Sequence, residues 1–390
     1  MKKSILTMQG FYLFTFFGVG SLYPLLSVYL QNSIGLNGYQ IGIIMSIGPI
    51  IFIFFQPIWG FISDSTNRPI LILQFTTLLA GVIALGYIFF EDFYLLLLVA
   101  IFLAIFQSAI IPISDSITLK YTSRFHLNYG NIRLFGSLGF GIAVFVMGKL
   151  SEFKPTLIFI AFFLSLALSS ILSSNMPKEK SGRKLNILKG LKEILTIKRL
   201  ILFLIISFLI FGPNLANNTF FGLFVQNSGG TYAGIGIAFL IAVLSEIPFM
   251  KASNRWIQKI GLLNITLLAG GVSLIRWLFY YTEPSLWLIY GTAALQGVSI
   301  GLFVPAALQY IREVTPDHLT ATAITLYSAI GNGLGSWFNT FTGGYIYEKS
   351  SIYMVYLFFT FLSLVGILLN YWLVKEEKEH SLLEKATLKR

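Results

Sequence analysis

Cysteine is absent from the 390 residues, which excludes disulfides, thiol chemistry and cysteine-held metals. Histidine occurs three times, at His126, His318 and His380, too few and too scattered for a histidine-ligated metal centre. Charge is scarce too: 11% of residues are charged against 56% hydrophobic, and so few charges cannot solvate a soluble chain of this length. What is present instead is one apolar run after another. At about 20 residues per membrane helix, a dozen spans take roughly 240–260 residues and leave about ten per connection, with no room for a large soluble domain.

Lys2 and Lys3 precede an apolar run from Ile5 to Leu30, too long for a signal-peptide core and followed by no small-residue cleavage site. Hydropathy then places spans near 5–30, 38–62, 70–90, 93–119, 132–150, 156–174, 199–225, 232–250, 261–281, 286–311, 320–346 and 352–374. The runs are continuous and lack the alternation of a membrane barrel, so the fold class is all-α, with twelve transmembrane helices.

With the N-terminus inside, Lys149, Lys154 and Lys349 fall outside, Arg133 and Arg276 fall within spans, and the remaining 22 of the 27 Lys and Arg are cytoplasmic. That bias predicts the cell membrane with both termini cytoplasmic. It also accounts for the +11 net charge without a nucleic-acid partner.

The largest interior connection, 175–198, is polar, basic and contains Pro177 and Gly182. It predicts a division into residues 1–174, a linker at 175–198, residues 199–374 and a tail at 375–390, with six helices in each half. Internal repetition agrees: Pro57 precedes Asp64 and Arg68 at the same distances at which Pro248 precedes Arg255 and Lys259.

Gly60-Phe-Ile-Ser-Asp64-Ser-Thr-Asn-Arg68 resembles the loop between helices two and three of the major facilitator superfamily. Family members usually carry a basic residue at Ser65, a glycine at Asn67 and a basic residue at Pro69, so the match is partial. The resemblance implies two pseudo-symmetric six-helix bundles and a cytoplasmic gate motif comprising Gly60, Asp64, Arg68 and, in the second half, Arg255. A helix-ending turn with anchoring charges is the plainer reading.

A second resemblance covers most of the chain. Pro112-Ile-Ser-Asp115, Tyr129-Gly-Asn-Ile-Arg133 through Phe140, Ser245-Glu246-Ile-Pro248, Asn254-Arg255 through Gly261, Leu267-Leu-Ala-Gly270 and Arg276 resemble the branch holding lactose permease, phenylpropionate permeases and nucleoside–proton symporters. It implies that Asp115 and Arg133 form a substrate-binding pair, that Phe140 stacks on substrate, and that Glu246 and Arg276 are the helix-eight acid and helix-nine arginine. Gln296 and Ser299 replace that permease's helix-ten histidine and glutamate, and Asn214 and Asn332 replace its helix-seven aspartate and helix-eleven lysine. Charge is removed from both members of a pair, which avoids stranding one ion, but lactose specificity does not carry over.

Apart from resemblance, Asp115, Arg133, Glu246 and Arg276 lie in apolar segments, where each costs about 2.5–3.5 kcal/mol at mid-bilayer. As pairs facing a wet cavity they offer a bidentate donor and a carboxylate acceptor. As structural salt bridges they offer nothing to a ligand, and Lys120 lies only five residues beyond Asp115. Glu246 is the first proton-coupling candidate, with Arg276, and Asp115 is the second.

Gln107, Asn214, Asn217, Asn218, Gln296, Asn332 and Asn339 place amides in apolar spans, where they bond either a ligand or a neighbouring helix; Gln107, Asn214 and Asn332 are taken as substrate-binding. Gly136, Gly139 and Gly141, mirrored by Gly331, Gly333 and Gly335, follow no strand, so they predict close helix packing rather than a nucleotide loop. Gly212-Pro213 predicts a kink in helix seven.

These features predict a secondary transporter, not an enzyme, monomeric in the bilayer. It uses the proton gradient without a cofactor and moves a sugar, nucleoside or aromatic acid by alternating access. Proton-driven efflux is the first alternative, and a non-transporting sensor, which would carry an added signalling domain, is the second.

Overall fold

The computed structural model describes residues 2–177 and 193–387. Most of the predicted linker, 178–192, and the last three residues of the tail lie outside the described residues. The described residues form helices and connections with no strand among them. A lipid interior explains this, since every backbone N–H and C=O must be satisfied within its own segment.

In chain order the helices are α1 (Lys2–Asn32), α2 (Gly38–Thr66), α3 (Pro69–Ala84, continued by Gly86–Phe89), α4 (Phe93–Arg124), α5 (Tyr129–Phe153) and α6 (Leu157–Ser173). They continue with α7 (Lys198–Asn227), α8 (Tyr232–Ile260), α9 (Leu262–Tyr281) and α10 (Leu286–Ala293, then Leu295–Val314). The last two are α11 (Thr320–Tyr327, a π-helical turn Ser328–Gly335, then Ser336–Lys349) and α12 (Ile352–Thr387). Among the described residues ten helices are long and apolar enough to cross a membrane. The 17-residue α6 and the interrupted α11 bring the described set to twelve. The repeat reappears in helix length: α1 and α7 have 31 and 30 residues, and α2 and α8 have 29 each.

Local chemistry sets the ends. Asn37 and Gln40 form a reciprocal capping box at the start of α2. Asp92 accepts from the backbone N–H groups of Tyr94 and Leu95 to open α4, and Asn128 accepts from that of Gly130 to open α5. Between the caps the helices are apolar on nearly every face, and large side chains such as Phe54, Phe61, Phe75, Phe89 and Trp287 remain exposed, as a lipid solvent allows.

Two compact units are present. The first comprises Met1–Lys184, Asn218–Leu240 and Thr340–Lys349; the second comprises Leu185–Asn217, Ile241–Asn339 and Ser350–Arg390. Within the first, α1 packs on α5 and α6, α2 on α4, and α3 on both α4 and α6. Apolar contact alone cannot drive this in lipid, so small residues matter. A Cβ on Gly139 would lie 2.1 Å from the Leu13 carbonyl oxygen, so only glycine lets α5 approach α1 this closely. Within the second unit α9 packs on α10 and α12. Its buried core includes Phe203, Phe211, Phe303 and Tyr310, and the Phe211 and Phe303 rings stack at 5.6 Å.

Gly212 and Pro213 sit inside the continuous helix α7. A Cβ on Gly212 would come within 3.1 Å of Gly335, at the end of the π-helical turn. The bulged turn of α11 and the proline-bearing stretch of α7 therefore meet, and π turns are frequent at functional sites.

Candidate functional site

In the first unit the embedded charges Asp115 of α4 and Arg133 of α5 face each other, with Arg133 Nε 4.0 Å from Asp115 Oδ1. The same carboxylate oxygen accepts a 2.6 Å hydrogen bond from the Tyr12 hydroxyl of α1, which also lies 3.3 Å from Thr118 Oγ1. Tyr129, the first residue of α5, adjoins Asp115 and Tyr12. The Arg133 guanidinium lies over two α1 rings, 4.0 Å from the centre of Phe16 and 5.4 Å from that of Tyr12. Gly136, one turn along α5, makes room for this: a Cβ there would lie 2.6 Å from Arg133 Nη1 and 2.9 Å from Phe16.

The carboxylate is thus anchored by a phenol, while the guanidinium is held by rings and one long ion pair. Their side chains are 27% and 29% exposed. An ion pair this long and open contributes little to stability. Chemically it is a carboxylate acceptor, a forked donor and aromatic faces on one accessible surface.

In the second unit Arg276 of α9 is 1% exposed. Its Nε donates to the Tyr280 hydroxyl at 3.0 Å, and Nη1 and Nη2 each lie 3.4 Å from Gln296 Oε1 of α10. Gln296 Nε2 in turn donates to Glu246 Oε1 of α8 at 3.2 Å. The acid and the arginine are therefore connected through an amide. The rings of Trp277 and Tyr280, 4.9 and 5.2 Å from the guanidinium carbon, cover its remaining faces.

The other predicted residues are spread out. Gln107 accepts a hydrogen bond from the Tyr23 hydroxyl. Phe140 is half-buried, and its backbone lies against Gly20 of α1. Asn214 is buried, donating to the Ile210 carbonyl and to Ser273 Oγ, while its Oδ1 has no partner. Asn217 and Asn339 show the same half-satisfied state, with Asn217 Nδ2 and Asn339 Oδ1 left over. Buried orphans of this kind are uncommon and call for a polar partner. Asn332 is exposed on the π-helical turn of α11.

The gate-motif residues Gly60, Asp64 and Arg68 lie on α2 and the turn after it, with Asp64 and Arg68 exposed. Asn67 adopts φ 52°, the left-handed conformation that closes α2, and Pro69 is the first residue of α3. Two of the three departures from the family pattern, Asn67 and Pro69, thus have a local reason: asparagine is the next best residue to glycine at φ > 0, and proline suits a first helical turn, while nothing in the structure explains Ser65. Gly60, Ser63, Asp64, Pro69, Pro112 and Lys120 line a small cavity of about 70 Å³, so Asp64 shares its surroundings with α4. Arg255 is exposed near the end of α8, where Gly261, at φ 88°, makes the corresponding turn into α9.

Tyr12, Phe16 and Tyr280 are parts of these clusters that the sequence does not single out, and Gln296, read there as an amide in an apolar span and as the replacement of a helix-ten histidine, is not placed there between Glu246 and Arg276. An uncharged ring in an apolar helix gives no signal. The spacing Tyr12–Phe16, one helical turn, could have suggested a shared face.

The sequence model of the MFS_1 like family matches residues 5–358. The chain is 51% identical over 389 residues to a Bacillus subtilis protein named uncharacterized transporter YwbF, covering 99% of this chain and 98% of that protein. It is 43% identical over 370 residues to a maltose permease of Geobacillus stearothermophilus, covering 94% of each. The nucleoside transporter NupG shares its fold, with a TM-score of 0.84 at 18% identity over 96% of this chain and 100% of that structure.

Proposed function

Because the chain belongs to the MFS_1 like family, a family of membrane transporters, we propose that it carries a sugar of the maltose class by alternating access, driven by proton symport. It is a multi-pass membrane protein with a small-molecule substrate. The observation that carries the sugar reading is the open Asp115–Arg133 pair beside the rings of Tyr12 and Phe16. A sugar presents hydroxyls that both donate and accept, together with apolar C–H faces. Asp115 accepts from one hydroxyl, the Arg133 fork donates to its neighbours, and a ring, Phe16 or Phe140, stacks on the C–H face. The maltose permease of Geobacillus supports the same class. Gln107, Asn214 and Asn332 are the further amides assigned to the sugar.

Glu246 is the group assigned to the coupled proton, with Arg276 as its balancing charge and Asp115 as a second carboxylate that senses substrate directly. Change of partners between the two open states alters how readily such a group holds a proton, which couples the gradient to transport. The division assigned is two six-helix halves, residues 1–174 and 199–374, a cytoplasmic linker 175–198 and a tail 375–390, with both termini in the cytoplasm. The gate residues Gly60, Asp64, Arg68 and Arg255 stabilise one of the two states. The protein works as a monomer in the cytoplasmic membrane and uses no cofactor.

The test is counterflow of labelled maltose in vesicles reconstituted with purified protein, with nucleosides and phenylpropionate as competitors. Wild-type protein exchanges maltose, and Arg133→Ala does not. Exchange of a nucleoside or aromatic acid in place of maltose overturns the sugar reading, and unimpaired exchange by Arg133→Ala overturns the site.

A further inference from the structure

A guanidinium is a donor at every nitrogen and has no acceptor to offer. Arg276 gives Nη1 and Nη2 to Gln296 Oε1, so the carbonyl end of that amide has to face it. The NH₂ end then faces the other way, where Nε2 meets Glu246 Oε1. The inverted amide would set NH₂ against a guanidinium with no acceptor between them, and a carbonyl against a carboxylate with no donor. Donation therefore runs in one direction only, from Arg276 through Gln296 to Glu246.

The packing beside this chain fixes its backbone. A Cβ on Gly297 would lie 2.4 Å from the Ser245 carbonyl, and one on Gly301 would lie 3.0 Å from the Glu246 carbonyl oxygen. Helices α8 and α10 are thus pressed together beside the amide and over the turn that follows it, and Gln296 is itself 5% exposed. Arg276 is the cation joined to Glu246 through that amide. The titratable groups on the far side of Arg276 are Tyr280, which it donates to, and Tyr356 of α12, whose ring lies 5.1 Å from that of Tyr280.

We propose that Gln296 is the positioning residue of the proton site: its fixed donation to Glu246 Oε1 directs the coupled proton to Oε2. The proposal rests on the reading of Glu246 as the proton carrier. In the ionised state Oε1 accepts from Gln296, and Arg276 balances the charge through the amide. When a proton arrives it bonds to Oε2, Oε1 becomes the carbonyl oxygen, and the bond from Gln296 is kept. The amide neither gains nor loses a proton, so one proton moves between water and a single carboxyl group. The carboxyl orientation is the same before and after, and an amide at this position leaves the site with one titrating group on α8 and none on α10.

Infrared difference spectra of the purified protein between alkaline and acid pH test this without any substrate. Wild type shows a carboxylic C=O band that is lost in Glu246→Gln. Because that C=O accepts from Gln296, the band moves to higher wavenumber in Gln296→Met, which keeps length but removes the donor. Gln296→Asn, which withdraws the amide by one methylene, gives the same displacement and serves if the methionine variant fails to fold. A Glu246 band that stays in place in whichever variant folds overturns the role of Gln296 and leaves Glu246 as proton carrier. The absence of any band lost in Glu246→Gln overturns the proton reading of Glu246, and Gln296 with it.

Discussion

Tyr12 donates its hydroxyl to Asp115 Oδ1 over 2.6 Å, onto the same oxygen that faces Arg133. The phenol of α1 thereby aims a carboxylate on α4 at a guanidinium on α5, and three helices share one polar contact. Asp115 is held on one side and open on the other, an arrangement suited to receiving a hydroxyl.

Tyr12→Phe removes one hydrogen bond to a charged group, worth about 1.5–3 kcal/mol when fully lost. Asp115 keeps Arg133 as a partner, so only part of this reaches the substrate. The half-saturation concentration for maltose exchange rises about 3–10-fold, with the thermal midpoint of the unliganded protein falling only slightly. An unchanged half-saturation concentration would show that Tyr12 does not position Asp115 for substrate.

Glu246→Gln keeps the hydrogen-bond acceptor facing Gln296 but can no longer release a proton. Gradient-driven accumulation of maltose in vesicles is lost, whereas exchange down no gradient continues. Accumulation that survives in this variant removes Glu246 from the coupling mechanism.

Close approach of α1 and α5 depends on Gly139. Gly139→Ala forces a methyl group against the Leu13 carbonyl and costs about 1–3 kcal/mol, as overpacking does elsewhere. Gly141→Ala, whose Cβ would meet only the Leu240 side chain at 3.5 Å, is tolerated. Thermal unfolding in one detergent compares the two, and equal midpoints would contradict the packing described for this pair of helices.

Asn67 holds φ 52° at the end of α2. Asn67→Gly therefore leaves the thermal midpoint unchanged or raises it, whereas Asn67→Val, a β-branched residue in the left-handed region, costs about 1–2 kcal/mol. A valine variant as stable as wild type would mean that this turn is not left-handed.

Much of the fold was legible in the sequence because lipid imposes a blunt requirement: an apolar run long enough to span must be a helix. The predicted span 156–174 became Leu157–Ser173, and 352–374 opened at Ile352. The span at 320–346 was visible, but its π-helical turn over Ser328–Gly335 was not: no residue pattern marks it, and its end at Gly335 lies against Gly212 of α7, a contact only the tertiary structure shows. Asp115, Arg133, Glu246 and Arg276 stood out because charges in an apolar segment are costly and few. Tyr12 and Phe16 did not, because a ring among apolar residues costs nothing there.

The sequence by itself determined that this chain is a bundle of membrane helices without disulfides, and where its rare charges fall. It could not determine which side chains meet. In water, the polar and apolar faces of a helix report which side is inward. In lipid both sides are apolar, so the rotation of each helix is set by close packing at small residues and by the polar groups that find each other. Tertiary structure alone brought Tyr12 to Asp115 across 103 positions of chain, and set the amide of Gln296 between Glu246, 50 positions away, and Arg276, 20 positions away.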